Sequence, residues 1–253
     1  MRFMISIITV NYNCREDLNK TLTSIADQID NGHTEVIVVD GGSTDGSCEV
    51  VNNSFSHLVT TFISEKDEGI YDAMNKGIKL ASYKWIYFLN AGDCFASNDT
   101  LNRIKDFLSK HNDRNFVYAP YMSDGKIEHS QSLSLAYLTG HMINHQSILF
   151  SKELFADEIY DISYRYCADY AHLLNIYNNL NAIKADFVVA NYDSTGVSSL
   201  EVNKLKMWKE RIKAIFNSRL TFKQKAVLLR RAAIAYPYHL LKSLVSRNEL
   251  KSQ

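Results

Sequence analysis

The chain has 253 residues, of which 46% are hydrophobic and 22% charged, so a disordered or fibrous protein is excluded and one large or two small domains are expected. Lys plus Arg and Asp plus Glu both number 28, and the zero net charge gives no reason to expect nucleic-acid binding. The charge is uneven, however: residues 1–200 carry 15 basic and 25 acidic side chains, and residues 201–253 carry 13 and 3. This asymmetry predicts a domain over 1–200 and a basic segment over 201–253 with a partner of its own.

Short β-branched and aromatic runs alternate with helical patterns in the first half of the chain. The predicted strands are Met4–Val10, Glu35–Val39, Val59–Ile63 and Trp85–Leu89, and the predicted helices are Arg15–Gln28, Ser47–Asn52, Gly69–Tyr83 and Asp99–His111. These strands are apolar without alternating in polarity, which is typical of a sheet covered on both faces. The order of elements predicts an α/β fold with a mostly parallel central sheet flanked by helices.

Beyond about residue 115 the pattern is looser. Strands are predicted over Phe116–Pro120, Lys126–Gln131 and Ile183–Tyr192, and a helix over Cys167–Tyr177. After residue 200, apolar residues recur every three or four positions among lysines and arginines, as in an amphipathic surface helix. The basic segment is therefore predicted to be helical.

The cysteines and the N-terminus indicate the compartment. Cys14, Cys48, Cys94 and Cys167 stand far apart without a CxxC pair, so neither a zinc site nor a disulfide framework is indicated. The apolar run Phe3–Val10 is better explained as a buried strand than as a signal peptide, and no run approaches the roughly 20 residues that span a bilayer. A reduced, cytoplasmic protein is expected.

Four successive predicted strands are followed by polar loops that contain acidic residues, asparagine or glycine. These loops are Asn11–Asn13, Asp40–Gly46, Glu65–Gly69 and Asn90–Asp93. In an open α/β sheet, ligands bind outside the carboxyl ends of the strands. Each loop alone could be an ordinary turn, but four of them at one edge favour a binding site.

The chemistry of these loops favours a metal-assisted diphosphate site. The chain has neither a GxGxxG nor a GxxxxGK[ST] motif, and the carboxylates in the loops would repel a phosphate unless a divalent cation lay between them. Asp93 is the best candidate ligand for Mg²⁺ or Mn²⁺. Asp40 could instead accept hydrogen bonds from a nucleobase or a ribose.

The same loops carry a resemblance to a known family. The stretches IITVNYN (Ile7–Asn13), VIVVDGGSTDGS (Val36–Ser47), SEKDEGIYDAMNKGI (Ser64–Ile78) and WIYFLNAGD (Trp85–Asp93) resemble those of family 2 glycosyltransferases, and Tyr166–Tyr170 resembles the later acidic motif of that family. The resemblance implies a GT-A fold and a nucleotide-diphosphate sugar as donor. It is nearest to bacterial enzymes that build O-antigen, capsule or exopolysaccharide, and it does not extend to the last fifty residues.

The resemblance also implies roles for individual residues. Asp93 would bind Mn²⁺ or Mg²⁺, although Asn90–Asp93 keeps only one carboxylate of the usual DXD motif, and Asp169 would be the catalytic base, with a helix N-cap as the alternative. An acceptor-side role or a plain structural one is open for His141, His145 and Gln146. The implied donor-binding residues are Thr9, Asn11, Asp40, Ser43, Asp67, Asn75, Lys76, Asn90, Ala91 and Gly92.

The implied activity is metal-assisted, inverting transfer of a sugar to a hydroxyl of a saccharide acceptor. That acceptor is expected to be linked to polyprenyl diphosphate, as in surface polysaccharide biosynthesis. A catalytically inactive member that only binds nucleotide-sugars is the alternative. The basic segment 201–253 would hold the protein on the anionic inner face of the membrane, or else pack on the catalytic domain. Nucleic acid is not expected as a partner.

Overall fold

The structure, a computed structural model, describes residues 4–29, 33–129, 132–193 and 203–249. Its strands are β1 (Ile5–Asn11), β2 (Thr34–Asp40), β3 (Thr61–Ser64), β4 (Trp85–Phe88), β5 (Cys94–Phe95), β6 (Phe116–Tyr118), β7 (Tyr121–Ser123), β8 (Lys126–Glu128), β9 (Ile148–Ser151), β10 (Ala182–Lys184) and β11 (Ala190–Tyr192). Its α-helices are α1 (Arg15–Ala26), α2 (Ser47–Ser54), α3 (Ile70–Leu80), α4 (Thr100–Lys110), α5 (Leu135–Leu138), α6 (Ala168–Ile176), α7 (Lys204–Asn217) and α8 (Phe222–Glu249). Short 3-10 helices cover His145–Ser147, Lys152–Phe155 and Tyr177–Asn179.

A seven-stranded sheet forms the centre of the fold, in the order β10–β6–β9–β4–β1–β2–β3. Its neighbouring strands run parallel except at β9, which is antiparallel to both β4 and β6. A second sheet has the order β5–β11–β7–β8. The predicted α/β fold with a mostly parallel central sheet and flanking helices is confirmed.

Strands β1 and β2 form the core of the central sheet because almost all of their side chains are buried. Alternate residues of a strand face opposite sides of a sheet. On one side Ile7 lies in a cluster with Leu18 and Leu22 of α1. On the other side Ile8 approaches α3 so closely that a Cβ on Gly77 would lie 2.5 Å from Ile8 Cγ2. Both faces are covered, which explains the uniformly apolar strands.

The register of the strands brings the predicted loops to one edge. Asn11 pairs with Asp40 at the ends of β1 and β2, and Asp40 pairs with Ser64 at the end of β3. The loop after β4 continues alongside β1, since the N–H of Ala91 donates to the carbonyl oxygen of Val10 at 3.1 Å. The prediction that these strand ends share an edge is confirmed.

The later part of the chain departs from the predicted elements. The run Ile183–Tyr192, predicted as one strand, is two strands in different sheets, β10 and β11. Strand β9 was not predicted, although all four of its residues are buried. A four-residue apolar run cannot be assigned by periodicity alone. The strand predicted over Lys126–Gln131 is present as β8, and its last two residues lie outside the described part of the chain.

The chain forms two compact units that interleave in sequence. The first comprises Met1–Ser130, Ile143–Ile162 and Asn179–Asp193 and contains both sheets. The second comprises Gln131–Met142, Ser163–Asn178 and Ser194–Gln253, and its described elements are mainly the helices α5 to α8. The predicted boundary at residue 200 falls within 194–202, outside the described residues, and stays a prediction.

The basic segment is helical over α7 and α8, as predicted. The long helix α8 contains Pro237, which removes one backbone donor from the helix. No helix in the described ranges combines the length and the apolar character that a membrane span requires.

Candidate active site

Asp40 is the centre of a hydrogen-bond network that joins the ends of β1, β2 and β3. Its Oδ1 accepts from Asn11 Nδ2 at 2.7 Å and from Ser43 Oγ. Its Oδ2 accepts from Ser64 Oγ at 2.7 Å and from the N–H groups of Gly42 and Ser43 at 3.1 and 2.8 Å. Burial by itself raises the pKa of Asp40, but the hydrogen bonds outweigh it and hold the pKa below the usual value. Asp40 is therefore an anchor whose oxygens are already engaged by the protein.

The loop after β2 is also fastened to the region that begins α1. Ser43 Oγ accepts the N–H of Asn13 at 2.7 Å, and Asp45 Oδ2 accepts the N–H of Arg15 at 2.8 Å. The other oxygen of Asp45 accepts from the hydroxyl of Ser47 at 2.6 Å, and these bonds lower the pKa of Asp45. The two loops at this edge are thus joined by side chains that the sequence places 30 residues apart.

Gly41 allows Asp67 and Tyr12 to approach the backbone after β2. A Cβ on Gly41 would lie 2.5 Å from Asp67 Oδ2 and 3.1 Å from Tyr12 Cδ2. The Tyr12 side chain is 63% exposed, and Asp67, which is half-buried, accepts the N–H of Gly69 through Oδ1 at 2.9 Å. An exposed aromatic ring can stack on a flat heterocycle, and a neighbouring carboxylate can accept its N–H groups. The chemistry of this corner fits a nucleobase.

The loop after β4 is held by Thr21 of α1. Thr21 Oγ1 lies 2.7 Å from the carbonyl oxygen of Asp93 and 3.2 Å from that of Asn90, and it accepts the N–H of Gly92 at 3.0 Å. Gly92 has a φ of 99°, which favours glycine, and a Cβ there would lie 3.0 Å from Asp193 Oδ2. A helix hydroxyl and a glycine therefore set the shape of this loop.

Asp93 is a buried carboxyl within that loop, with a side chain 3% exposed. Its Oδ1 accepts the N–H of Asp193 at 2.9 Å, and the side chain of Gln146 also hydrogen-bonds to it. Burial raises the pKa of Asp93 to about 7; the charge of Asp193 adds to this, while the hydrogen bonds and Lys20 oppose it. A further positive charge would stabilise the ionised form of this carboxyl.

The Asp93 loop and Asp193 carry carboxylate and amide oxygens, the ligand type that hard divalent cations prefer. Asn90 Oδ1 is buried and has no hydrogen-bond partner among the described residues. Asp193 brings a second carboxylate to a place where the sequence indicates Asp93 alone. Mg²⁺ is commonly bound through one or two carboxylates plus substrate phosphates. Within the described ranges, no three His, Cys, Asp or Glu side chains are grouped so that they could hold a metal ion.

Other residues predicted to bind the donor are engaged inside the first unit. Thr9 is fully buried in β1. The amide of Asn75 donates to the carbonyl oxygen of Tyr160 at 2.7 Å and accepts its N–H at 2.9 Å. Lys76 Nζ lies 2.9 Å from Glu65 Oε1, and this contact raises the pKa of Lys76. The side chains of Asn75 and Lys76 are thus engaged by neighbours within the unit, and contact of all three residues with a donor stays a prediction.

The residues predicted for the acceptor side are divided between the two units. In the first unit, His145 is buried, and its Nε2 lies 2.6 Å from the hydroxyl oxygen of Tyr160. The side chain of Gln146, also in the first unit, hydrogen-bonds to Asp93. His141 lies in the second unit and is exposed. An acceptor-side role for these residues stays a prediction.

Asp169 lies in the first turn of α6, in the second unit. Because the N-cap residue is Cys167, the alternative interpretation of Asp169 as an N-cap is wrong. Asp169 is half-buried, and its Oδ1 accepts the N–H of Tyr170 at 2.8 Å. A carboxylate in a first helical turn interacts favourably with the helix dipole. Its role as a base stays a prediction.

Three residues of the site were missed by sequence reasoning. Tyr12 carried a usable signal, since it is an aromatic residue directly after a strand. Thr21 and Asp193 carried none, because they meet Asp93 across sequence separations of 72 and 100 residues.

Comparison with known sequences identifies a family. Residues 6–234 match the model of a protein family described as "Glycosyl transferase family 2". A curated relative from Mycobacterium bovis, named PGL/p-HBAD biosynthesis glycosyltransferase, is 32% identical over 236 residues and covers 90% of each chain.

Two solved structures share the fold. TarS from S. aureus in complex with UDP-GlcNAc matches with a TM-score of 0.71 and 17% identity over 92% of this chain and 72% of that one. The mannosyltransferase PcManGT from Pyrobaculum calidifontis, in complex with GDP-Man and Mn²⁺, matches with a TM-score of 0.72 and 17% identity over 100% of this chain and 76% of that one. At these identities the likeness shows the fold, which is GT-A.

Proposed function

Because this chain belongs to glycosyl transferase family 2 and is a transferase, we propose that it moves a sugar from a nucleotide-diphosphate sugar to a hydroxyl of a saccharide acceptor, with inversion at the anomeric carbon. The loop around Asp93 carries this proposal. There a buried carboxyl with a raised pKa lies beside Asp193, on the same loop as the buried amide oxygen of Asn90, which has no hydrogen-bond partner in the described part of the chain. Two fold neighbours that contain UDP-GlcNAc, or GDP-Man with Mn²⁺, support a donor of this class.

The nucleoside of the donor is proposed to bind at the ends of β1 to β3. The base stacks on exposed Tyr12 and donates to the carboxylate of Asp67, and both side chains can lie close to the backbone there because Gly41 has no Cβ. Asp40 holds the loop in shape through its own hydrogen bonds, and its direct contact with the base stays a prediction.

Mn²⁺ or Mg²⁺ is the proposed cofactor, with Asp93 as the principal ligand and Asn90 and Asp193 as further oxygen ligands. When bound, such a cation stabilises the negative charge of the departing nucleoside diphosphate. Lys20 adds a positive charge beside the same loop, with Nζ 3.1 Å from the carbonyl oxygen of Gly92. Lys20, together with the cation that Asp93, Asn90 and Asp193 would hold, would orient the diphosphate and offset its negative charge.

Asp169 is the proposed base. Its carboxylate takes the proton of the acceptor hydroxyl while that oxygen forms a bond to the anomeric carbon. The bond from this carbon to the diphosphate oxygen breaks with its electron pair on the leaving group, so the configuration inverts. The alternative, a family member that binds donors without catalysis, predicts binding with neither transfer nor slow hydrolysis of the donor.

Donor binding and turnover distinguish these alternatives. A calorimetric panel of UDP- and GDP-sugars with Mn²⁺ should reveal at least one ligand, and that donor should be hydrolysed slowly without acceptor. Asp93→Asn should lose both the dependence on Mn²⁺ and turnover. Asp106→Asn, which changes an exposed carboxylate on α4, should behave as wild type. Full turnover in excess EDTA would remove the metal from the proposal, and failure of every nucleotide-sugar to bind would remove the function.

The proposed acceptor is a saccharide on polyprenyl diphosphate, used in surface polysaccharide synthesis such as that of O-antigen or capsule, at the inner face of the membrane. The exposed face of α8 supports membrane contact. Phe222, Ile234 and Tyr238 are 86%, 74% and 61% exposed, with Lys223 and Arg230 exposed among them. The sequence has no acidic residue between positions 211 and 248. Anionic lipid attracts such a surface by about 1 kcal/mol per cation.

Vesicle flotation tests the membrane proposal. Vesicles with anionic lipid should carry the full chain at low salt and release much of it near 1 M salt, where the Debye length is about 3 Å. Lys223→Glu/Arg230→Glu should float less, whereas Lys79→Glu/Lys110→Glu, with the same change in net charge on α3 and α4, should float as wild type. Equal flotation of the two double variants, or none by wild type, would contradict membrane contact through this face.

A further inference from the structure

Glu210 of α7 accepts three consecutive backbone hydrogen bonds from the segment that leads into α6. Its Oε1 accepts the N–H of Arg165 at 3.0 Å, and its Oε2 accepts those of Tyr166 and Cys167 at 2.8 and 3.1 Å. All of these residues belong to the second unit. The carboxylate therefore fixes the three residues immediately before the helix that carries Asp169.

The start of α6 needs such a partner. The first N–H groups of a helix have no acceptor within the helix, and the N-cap residue Cys167 provides no side-chain cap. The Glu210 carboxylate accepts the N–H of this N-cap residue and those of the two residues before it, and it places a negative charge near the positive end of the helix dipole. Hydrogen bonds to an ionised acceptor are about twice as strong as neutral ones.

The residue next to Glu210 fixes α7 against the same helix. Arg211 is buried, its guanidinium lies 4.5 Å from the ring centre of Tyr170, and its Nη2 donates to the carbonyl oxygen of Leu138 at 3.1 Å. The hydroxyl of Tyr170 donates to the same carbonyl at the same distance. Glu210 thus holds the chain before Asp169, and Arg211 packs on the residue after it.

We propose that Glu210 is a positioning residue for Asp169: by fixing the entry into α6, it sets the direction in which the Asp169 carboxyl meets the acceptor hydroxyl. This role rests on the proposed function, in which Asp169 is the base. Misplacement of a catalytic group by about 1 Å can lower the rate on the order of 100-fold. Because the donor-binding residues of the proposal lie in the first unit, loss of Glu210 should leave donor affinity unchanged.

Two variants separate positioning from general stability. Glu210→Ala removes all three acceptors, and Glu210→Gln keeps one oxygen. We expect kcat to fall from wild type to Glu210→Gln and further to Glu210→Ala, by on the order of 100-fold for Glu210→Ala. Each kcat is measured well below the Tm of that variant and is divided by the number of donor-binding sites counted by calorimetry. The donor Kd should not change. Glu49→Gln, an exposed change on α2, is the matched control.

Amide hydrogen exchange in the full-length protein tests the contact independently of turnover. The amides of Arg165, Tyr166 and Cys167 should exchange slowly in wild type and faster in both Glu210 variants. Faster exchange with an unchanged normalised kcat in Glu210→Ala would overturn positioning, and unchanged exchange would overturn the contact itself. If wild type binds no donor and transfers no sugar, the proposed function fails, whatever the exchange shows.

Discussion

Thr21 Oγ1 lies 2.7 Å from the carbonyl oxygen of Asp93, so a hydroxyl on α1 supports the loop that carries the proposed cation ligand. The same hydroxyl accepts the N–H of Gly92 at 3.0 Å. Thr21 is fully buried and lies within hydrogen-bond distance of both sides of this turn. Thr21 therefore ties the turn of this loop to α1.

Thr21→Val should loosen this loop without changing the volume of the core much. Loss of the buried hydroxyl is expected to lower the free energy of unfolding by about 1–3 kcal/mol and to weaken Mn²⁺-dependent donor binding. Urea denaturation and calorimetry measure the two effects. Thr23→Val, on the same helix but exposed and bonded only to the carbonyl oxygen of Asn19, should leave both unchanged. Donor affinity equal to wild type in Thr21→Val would contradict the supporting role.

Asp93→Asn should change stability and activity in opposite directions. The pKa of Asp93 is about 7 in the folded protein, so above its ordinary pKa near 3.8 the folded state holds a proton that the unfolded chain releases. Stability is therefore lost as the pH rises towards 7. The uncharged amide avoids this loss, and without divalent cation at pH 8 we expect a gain of about 1 kcal/mol or more, together with loss of transfer. A less stable variant would show that burial of this carboxyl is not the controlling effect.

Gly41→Ala should weaken donor binding through Asp67. The added Cβ would lie 2.5 Å from Asp67 Oδ2, so the carboxylate must move away from Tyr12. We expect a Kd for the donor about tenfold weaker, or about 1.4 kcal/mol. In an Asp67→Ala background the same glycine substitution should cost little, and a double-mutant cycle measures this coupling. Additive effects of the two substitutions would contradict it.

His172 should make the fold sensitive to mild acid. Burial, together with the charge of Arg219, lowers the pKa of His172 to about 3, against about 6.5 for an unfolded histidine. Below pH 6.5 the unfolded chain binds a proton that the folded protein does not, so stability falls by up to about 1.4 kcal/mol per pH unit. Urea denaturation between pH 8 and 5 should show a shallower loss for His172→Leu than for wild type. His57→Leu, an exposed change after α2, should keep the wild-type slope.

The early strands and their ends could be predicted because their signal is local. The apolar runs of β1 and β2 define buried parallel strands, and Asn11 and Asp40, which directly follow the two predicted strands, are paired in the structure. What a carboxylate does at such an edge depends on neighbours distant in sequence. Asp40 is enclosed by donors from three loops, whereas Asp67 remains half-buried beside Gly41.

The basic segment also contains a residue whose contacts could not be predicted from the sequence. Its charge count correctly indicated a cationic segment, but a sum of charges gives no weight to one acid, Glu210, among the cations of α7. The structure shows Glu210 bound to the chain before α6, so α7 is part of the helical unit that contains Asp169. Deletion of residues 201–253 would therefore remove Glu210 as well, and loss of activity in such a truncation would say nothing about membrane contact.

The interleaving of the two units affects what recombination between relatives can exchange. A single crossover between residues 178 and 203 would join the Arg165–Cys167 segment of one parent to the α7 of another. Such a hybrid keeps the three backbone hydrogen bonds only if the parent that supplies α7 has a carboxylate at position 210. The helical unit is assembled from residues 131–142, 163–178 and 194–253, so a hybrid that takes the whole unit from one parent needs more than one crossover.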